Sequence, residues 1–308
     1  MHPFQLLPTF KERPWGVDDL SRWFTGAPPA RIGEAWFTAN DNRLAGGPTL
    51  GEAIAADPEG MLGPGARGDQ CPLLVKLLFT SERLSVQVHP EDDYARTHHA
   101  SLGKTEAWHV LEAQPGATLG LGFTQALGRQ EAVEAARSGA IEHLLDWRAT
   151  GEGDTWLVPA RTVHAIGAGL TVVEVQENSD ITYRLYDYGR PRELHLDRGF
   201  DVADLGPYAV DNTRRPLAPG RDLLTSCRYF TLERWTIDGA LTFRPGERRY
   251  YLLIVTRGSG TLRGRALAPG QVWFVPAAAP PFDVAFDGTL LLAYTSETPT
   301  AAFRAAPR

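Results

Sequence analysis

The sequence predicts an all-β protein of sandwich or barrel type, built as two related β units. Three observations predict it. Short runs rich in valine, leucine, threonine and aromatic residues recur between Gly, Pro and Asp turns along most of the chain. The 308 residues include 31 glycines and 23 prolines, a supply of turn formers that suits many short strands. A pattern also occurs twice, as GDTWLVPARTVH at 153–164 and GQVWFVPAAAPP at 270–281. Each copy has Gly, Trp, Val, Pro and Ala at matching places, the grammar of a turn, an inward-facing strand and a proline-bounded exit.

Taken in order, strands are expected at Leu73–Phe79, Leu84–His89, Trp108–Glu112, Thr155–Val158, Leu170–Gln176 and Ile181–Tyr186. In the C-terminal third they are expected at Phe230–Ile237, Tyr250–Thr256, Val272–Val275 and Leu290–Thr295. One segment departs from this pattern. Val133, Ala136, Ile141, Leu144 and Leu145 fall near helical spacing within 129–147, and Gly139 between them predicts two short helices with a glycine stop. The stretch 206–222 holds three prolines and no regular apolar period, which reads as a connector. The expected organisation is therefore a first domain over 1–205 with a helical insertion at about 124–147, the connector, and a second domain over 223–308.

Composition narrows the function. The net charge is -6, which argues against a dedicated nucleic-acid binder. The two cysteines, Cys71 and Cys227, show neither metal-type spacing nor a secreted disulfide framework. The first residues lack the zones of a signal peptide, and no apolar run approaches a membrane span. A soluble cytoplasmic protein is expected, with no membrane partner. The basic residues comprise 28 arginines and only three lysines, Lys11, Lys76 and Lys104. Codon composition accounts for such a bias, and it draws attention to the lysines that survive it.

The sharpest local feature is the run Ser85-Val86-Gln87-Val88-His89-Pro90. On a strand, alternate residues share a face, so Ser85, Gln87 and His89 project together and the two valines project oppositely. A polar face of this kind lines a wet cavity or an edge exposed to solvent. The run Gly103-Lys104-Thr105-Glu106-Ala107-Trp108 then places Glu106 and Trp108 on one face of the next strand, and His164 closes the first repeat copy. Each alone is ordinary: a solvated carboxylate, a structural histidine. In chain order, however, histidine, carboxylate and histidine follow the way cupin barrels assemble a metal site. Two imidazoles and a carboxylate with an open position suit a catalytic zinc ion, and non-haem iron equally. Gln87 is an uncommon ligand type. The second repeat copy has Pro281 where the first has His164, so one metal ion per chain is expected. His98 and His99 read as loop residues, His143 as part of the helical insertion and His195 as part of a strand. In the run 174–190, Glu174 and Gln176 share a face, as do Arg184 and Tyr186, and guanidinium groups beside a metal cavity would clamp an anion.

The stretches ERPWG, GEAWFTA, CPLLVKLLFTSERLSVQVHPEDDYA, GKTEAWHVLEA, GDTWLVPARTVHAIGAG and VVEVQENSDITYRLYDYGR span residues 12–190. Together they resemble the type I mannose-6-phosphate isomerases in their short bacterial form, members of the cupin superfamily. LSVQVHP, GKTEAW and TYRLYDYGR are highly specific as a set. The resemblance implies two cupin-like jelly-roll barrels, the second degenerate, with the family's larger helical domain reduced to the 129–147 insertion. It implies one zinc ion held by Gln87, His89, Glu106 and His164. It places Arg184 on the family's active-site arginine, Lys76 and Lys104 on lysines bordering the cavity, and Glu174 on an acid implicated in proton transfer.

The implied reaction interconverts mannose 6-phosphate and fructose 6-phosphate through a cis-enediol. Glu174 is the first candidate base, with a metal-bound hydroxide as its rival. Lys104 is expected to approach the substrate beside Glu106. Arg184 either stabilises the enediolate or holds the phosphate, and Lys76, Ser85 and Arg190 are expected substrate or phosphate contacts. The expected partner is a small sugar phosphate, and the expected assembly a monomer or homodimer. Two other readings stand beside this one: a metal-dependent cupin dioxygenase, which needs no cluster of Lys76, Lys104, Arg184 and Arg190, and a non-catalytic sugar-phosphate sensor, which could dispense with Glu174.

Overall fold

Strand alternation at Ser85–His89 and along the runs around it produces the predicted β architecture. The computed structural model describes residues 1–246 and 248–300, with 303–304 described as backbone only. Three antiparallel sheets carry the fold. One has six strands, in the order Thr9–Val17, Ile32–Trp36, Leu73–Thr80, Leu170–Glu177, Glu106–Ala113 and Thr155–Val158. A five-stranded sheet faces it, ordered Tyr183–Tyr186, Val86–Val88, His164–Ile166, Thr118–Phe123 and Leu145–Ala149. The third sheet is built around the long strands Thr231–Phe243, Tyr251–Leu262 and Phe282–Tyr294.

The central strand of the first sheet, LTVVEVQE, is buried at every position. Burial on both faces explains why its valines run almost continuously instead of alternating with exposed polar residues. In the five-stranded sheet the alternation does hold. Val86 and Val88 turn outward from the cavity into a core with Ala132, Ala135, Ile141 and Phe200, so the helical insertion packs on the sheet's back. Gly139 ends the helix Arg129–Ser138 with φ of 83°, a left-handed stop. The two repeat copies also share their backbone. Gly153 and Gly270 have φ of 89° and 84°, and each precedes a strand, Thr155–Val158 or Val272–Val275.

Several elements differ from the sequence expectation. Leu145–Ala149 forms an edge strand where the insertion was expected to continue to 147. The expected connector contains the strand Arg215–Ala218 and the start of Arg221–Ser226, which pair across Gly220. The first of these is exposed along its length, and proline is admissible there because an edge strand leaves one side of its backbone unpaired. Short helices occupy Leu50–Ala56, Pro58–Leu62, Asp92–His99 and Leu196–Val202. His98 and His99 thus lie on a helix, and His195 caps a helix instead of lying in a strand. Phe4–Leu6 pairs with Val272–Val275, so the first residues of the chain complete the C-terminal sheet. One apolar core spans both units, joining Leu6, Leu77 and Val175 to Phe230, Leu252 and Phe274. Among the described residues no helix is long and apolar enough to cross a membrane.

Candidate active site

Register builds the site from two rows of side chains. In the six-stranded sheet Glu174 stands directly between Lys76 and Trp108 on its neighbouring strands. In the facing sheet Gln87 stands between His164 and Arg184. Directly paired residues project to the same side, so the rows confront each other across a cavity of about 450 Å³. Ser85, Gln87, Lys76, Lys104, Glu174 and Arg184 all line it.

At its inner end His89, Glu106 and His164 offer ligand atoms that lie within 4.8 Å of one another, and all three are buried. His89 uses Nδ1 to bond the carbonyl oxygen of Ile181 at 2.8 Å, and His164 uses Nδ1 to bond that of Thr162 at 2.8 Å. A carbonyl accepts only, so both Nδ1 atoms carry the proton and both Nε2 lone pairs face the cluster, the tautomer a metal requires. Burial, and then the nearby Lys104 ammonium, hold the His89 imidazole well below its usual range and push His164 down to about 3. Both rings are neutral. Glu106 Oε1 is buried without a hydrogen-bond partner, 3.4 Å from His164 Nε2. An orphaned carboxylate oxygen beside two imidazole lone pairs fits a divalent cation. Gln87 completes the set only with its amide ends exchanged. Its Nε2 now lies 3.2 Å from His164 Nε2, while Oε1 accepts from Ser85 Oγ at 3.1 Å. Exchange would turn Oε1 to the cluster and let Nε2 donate to Ser85.

Lys104 precedes the strand Glu106–Ala113 instead of lying on it, yet its Nζ reaches the cluster. It donates to Glu106 Oε2 at 2.5 Å and to His89 Nε2 at 2.9 Å. Burial drives the Glu106 carboxyl up to about 7, and Lys104 opposes that shift.

Glu174 lies 3.0 Å from Lys76 Nζ and accepts from Trp108 Nε1 at 3.1 Å. Burial alone would raise its pKa, but the Lys76 and Lys104 ammoniums outweigh burial and hold the group below the ordinary carboxylate range. Lys76 is also fixed from the other side by the Trp36 ring, 4.6 Å away.

The outer end of the cavity is cationic. Arg184 lines it with its Nε buried and unpartnered, while one terminal nitrogen donates to the carbonyl of Glu193 at 2.9 Å. Arg190 is not brought here. Its guanidinium turns away to the Arg83 carbonyl at 2.8 Å and lines a separate hollow with Glu82 and Tyr188. Arg192 lines the cavity in its stead, held by a bidentate pair to Asp187. Arg13 joins it from the N-terminal strand, paired with Glu34 at 2.9 Å. Sequence reasoning missed Arg13, Glu34 and Arg192. The stretches ERPWG and GEAWFTA marked the first two, but nothing in their local pattern points to a cavity whose other walls come from Lys76 and residues further along the chain.

No protein-family model matches the chain. The mannose-6-phosphate isomerase ManA of Bacillus subtilis is 35% identical over 279 residues, covering 84% of this chain and 87% of the relative. A crystal structure of the mannose 6-phosphate isomerase from Bacillus subtilis superposes with a TM-score of 0.86 at 32% identity, over 95% of this chain and 99% of that one. A zinc-bound mannose 6-phosphate isomerase structure shares the fold at 16% identity, with a TM-score of 0.79 over 96% of this chain and 100% of that one. Similarity of this extent, over nearly the whole length of both chains, makes this protein a member of the mannose-6-phosphate isomerase family.

Proposed function

We propose that the chain is a zinc-dependent aldose–ketose isomerase that interconverts mannose 6-phosphate and fructose 6-phosphate through a cis-enediol. The observation that carries this reading is the pairing, in one cavity, of a charged buried carboxylate with a metal-capable triad and a cationic mouth. His89, Glu106, His164 and an end-exchanged Gln87 would hold the ion. When bound, it would supply a positive charge that orients the sugar oxygens and lowers the energy of developing negative charge.

Glu174 takes the proton from C2 of the aldose and returns it to C1, while a hydroxyl proton passes from O2 to O1. Atoms and electrons balance without an oxidant. Lys76 keeps Glu174 ionised and aimed, since its own charge is spent on that carboxylate 3.0 Å away. Lys104 donates to the sugar oxygen on which negative charge grows. Ser85 binds a substrate hydroxyl. Arg184 and Arg192 receive the phosphate at the mouth, where planar guanidiniums match its geometry. A dioxygenase would have no use for that mouth. In this reading residues 1–205 form the catalytic domain and the C-terminal unit supports it.

The test is a coupled isomerase assay on mannose 6-phosphate with metal content measured on the same sample. Turnover should rise in proportion to zinc occupancy. A zinc-loaded, folded sample without turnover would overturn the assignment.

A further inference from the structure

A second cavity, of about 540 Å³, lies on the far side of the same sheet, between the two β units. Its walls come from both units and from the N-terminal segment: His109 and Glu152 from the first unit, Arg234, Arg257 and Thr289 from the second, and Arg22 with Trp23 from the segment. The strand Glu106–Ala113 separates it from the catalytic cavity. Glu106 and Trp108 project to one face of that strand, and His109 projects to the other.

The chemistry of these walls is cationic. Three guanidiniums, Arg22, Arg234 and Arg257, line the cavity against one carboxylate, Glu152. Arg22 pairs outside the lining with Glu112 at 2.5 Å, and Arg234 gives one nitrogen to Asp222 at 2.7 Å. The Nε of Arg234 is buried and has no partner. Arg257 has no polar partner among the described residues, and it sits where the pairing with the strand Phe282–Tyr294 shifts register between Val255 and Arg257. Such irregularities re-aim side chains. His109 is buried, and its hydrogen bond runs through Nδ1 to Thr155 Oγ1 at 2.8 Å. When the Thr155 hydroxyl donates, Nε2–H of His109 is left as a donor into the cavity. The three guanidiniums outnumber the one carboxylate of the lining, and an anion seated between the units would offset that excess of positive charge.

We infer that this cavity is a second anion site, taking a phosphorylated small molecule whose phosphate lies between Arg234 and Arg257 and whose apolar part rests on Trp23. The inference does not depend on the reaction proposed for the first cavity, because no residue is shared between the two.

The probe is inorganic phosphate, titrated into the metal-loaded protein with the tryptophan indole N–H signals followed by NMR. The Trp23 signal is assigned with Trp23→Phe. It should shift saturably with phosphate, and not with chloride at equal ionic strength. Arg257→Glu should weaken that response by about tenfold or more. Arg257→Ala, milder on an exposed side chain, should weaken it in the same direction. Arg184→Ala, which alters the catalytic cavity, should leave it unchanged. An unmoved Trp23 signal, an equal response to chloride, an unchanged response in the Arg257 variants, or a response lost with Arg184→Ala would each overturn the site.

Discussion

The Nζ of Lys104 lies 2.9 Å from Nε2 of His89, on the ring nitrogen that faces the metal-capable cluster. The same ammonium donates to Glu106 Oε2 at 2.5 Å. Lys104 therefore occupies the electrostatic position of a cation among ligand atoms, held by two groups that a metal would also claim. Metal and lysine can share the site only if the ammonium moves toward the substrate side. Four rotatable bonds and a compact head allow that movement. A planar guanidinium, which fixes five donors in one fork, does not reproduce it.

Lys104→Arg preserves charge and should still lower kcat/KM by about tenfold or more, a loss of at least roughly 1.4 kcal/mol of transition-state stabilisation. Lys11→Arg is the control. Lys11 lies outside the cavity lining, 5.2 Å from the Trp36 ring, and its replacement should be nearly silent. Full activity of metal-loaded Lys104→Arg would remove this lysine from the chemistry.

Metal content should be one ion per chain. The second repeat copy puts Pro281 where the first puts His164, and the only group of metal-capable residues among the described ones is His89, Glu106 and His164. His89→Ala should abolish tight binding, since a site with few protein ligands does not tolerate loss of an imidazole. Chelation of the unaltered protein should lower both activity and Tm, because a ligand that binds only the folded state stabilises it. Two tightly bound ions per chain, or an unchanged Tm on chelation, would contradict the assignment.

The site was legible in sequence to the extent that strand alternation controls it. Ser85, Gln87 and His89 share a face because successive residues on a strand point oppositely, and Glu106 and His164 needed only their order along the chain. Arg192 and Arg13 were not legible, since their places depend on which loops and strands end at the cavity mouth. The helices Leu50–Ala56 and Leu196–Val202 are seven residues each, too short for a helical period to stand out. Their stability comes from packing, as with Phe200 and Val202 in the core behind the five-stranded sheet. The pairing of Phe4–Leu6 with Val272–Val275 joins residues at opposite ends of the chain. No local pattern encodes such a pairing.

Acid should destabilise the protein through His109. Burial, together with the Arg234 and Arg214 guanidiniums, pushes this imidazole down to about 4. The unfolded chain takes up a proton near the ordinary value of 6.5, whereas the folded chain resists until about 4. Stability present above pH 6.5 is therefore lost as pH falls toward 4, by up to an amount on the order of 3 kcal/mol. His109→Gln, which keeps a partner for Thr155, should flatten that part of the profile. Urea midpoints in phosphate-free buffer at neutral and acidic pH make the comparison, and parallel losses in the two proteins would sink this account.

Glu174→Gln is the decisive substitution for the chemistry. The carboxylate is charged because two ammoniums outweigh its burial, and it is aimed by Trp108 Nε1 at 3.1 Å and Lys76 at 3.0 Å. Glutamine keeps the size and offers its one amide oxygen to Lys76 or to Trp108, so the fold and the metal site should survive. It has no proton affinity to serve as a base. General-base contributions run to about 10²–10⁴-fold, so kcat should fall within that range while KM changes little. A hydride shift between C2 and C1 would need no base at either carbon. The two mechanisms also differ in heavy water: proton transfer through Glu174 places solvent deuterium on the product carbon whenever the shared proton exchanges before its return, and a hydride shift never does. Deuterium in the product together with a large loss in kcat for Glu174→Gln is the expected pair of results. Undiminished kcat in the metal-loaded variant would remove Glu174 from the reaction, whatever the isotope result. Deuterium incorporation that persists at the wild-type rate in Glu174→Gln would assign the proton transfer to another group in the cavity.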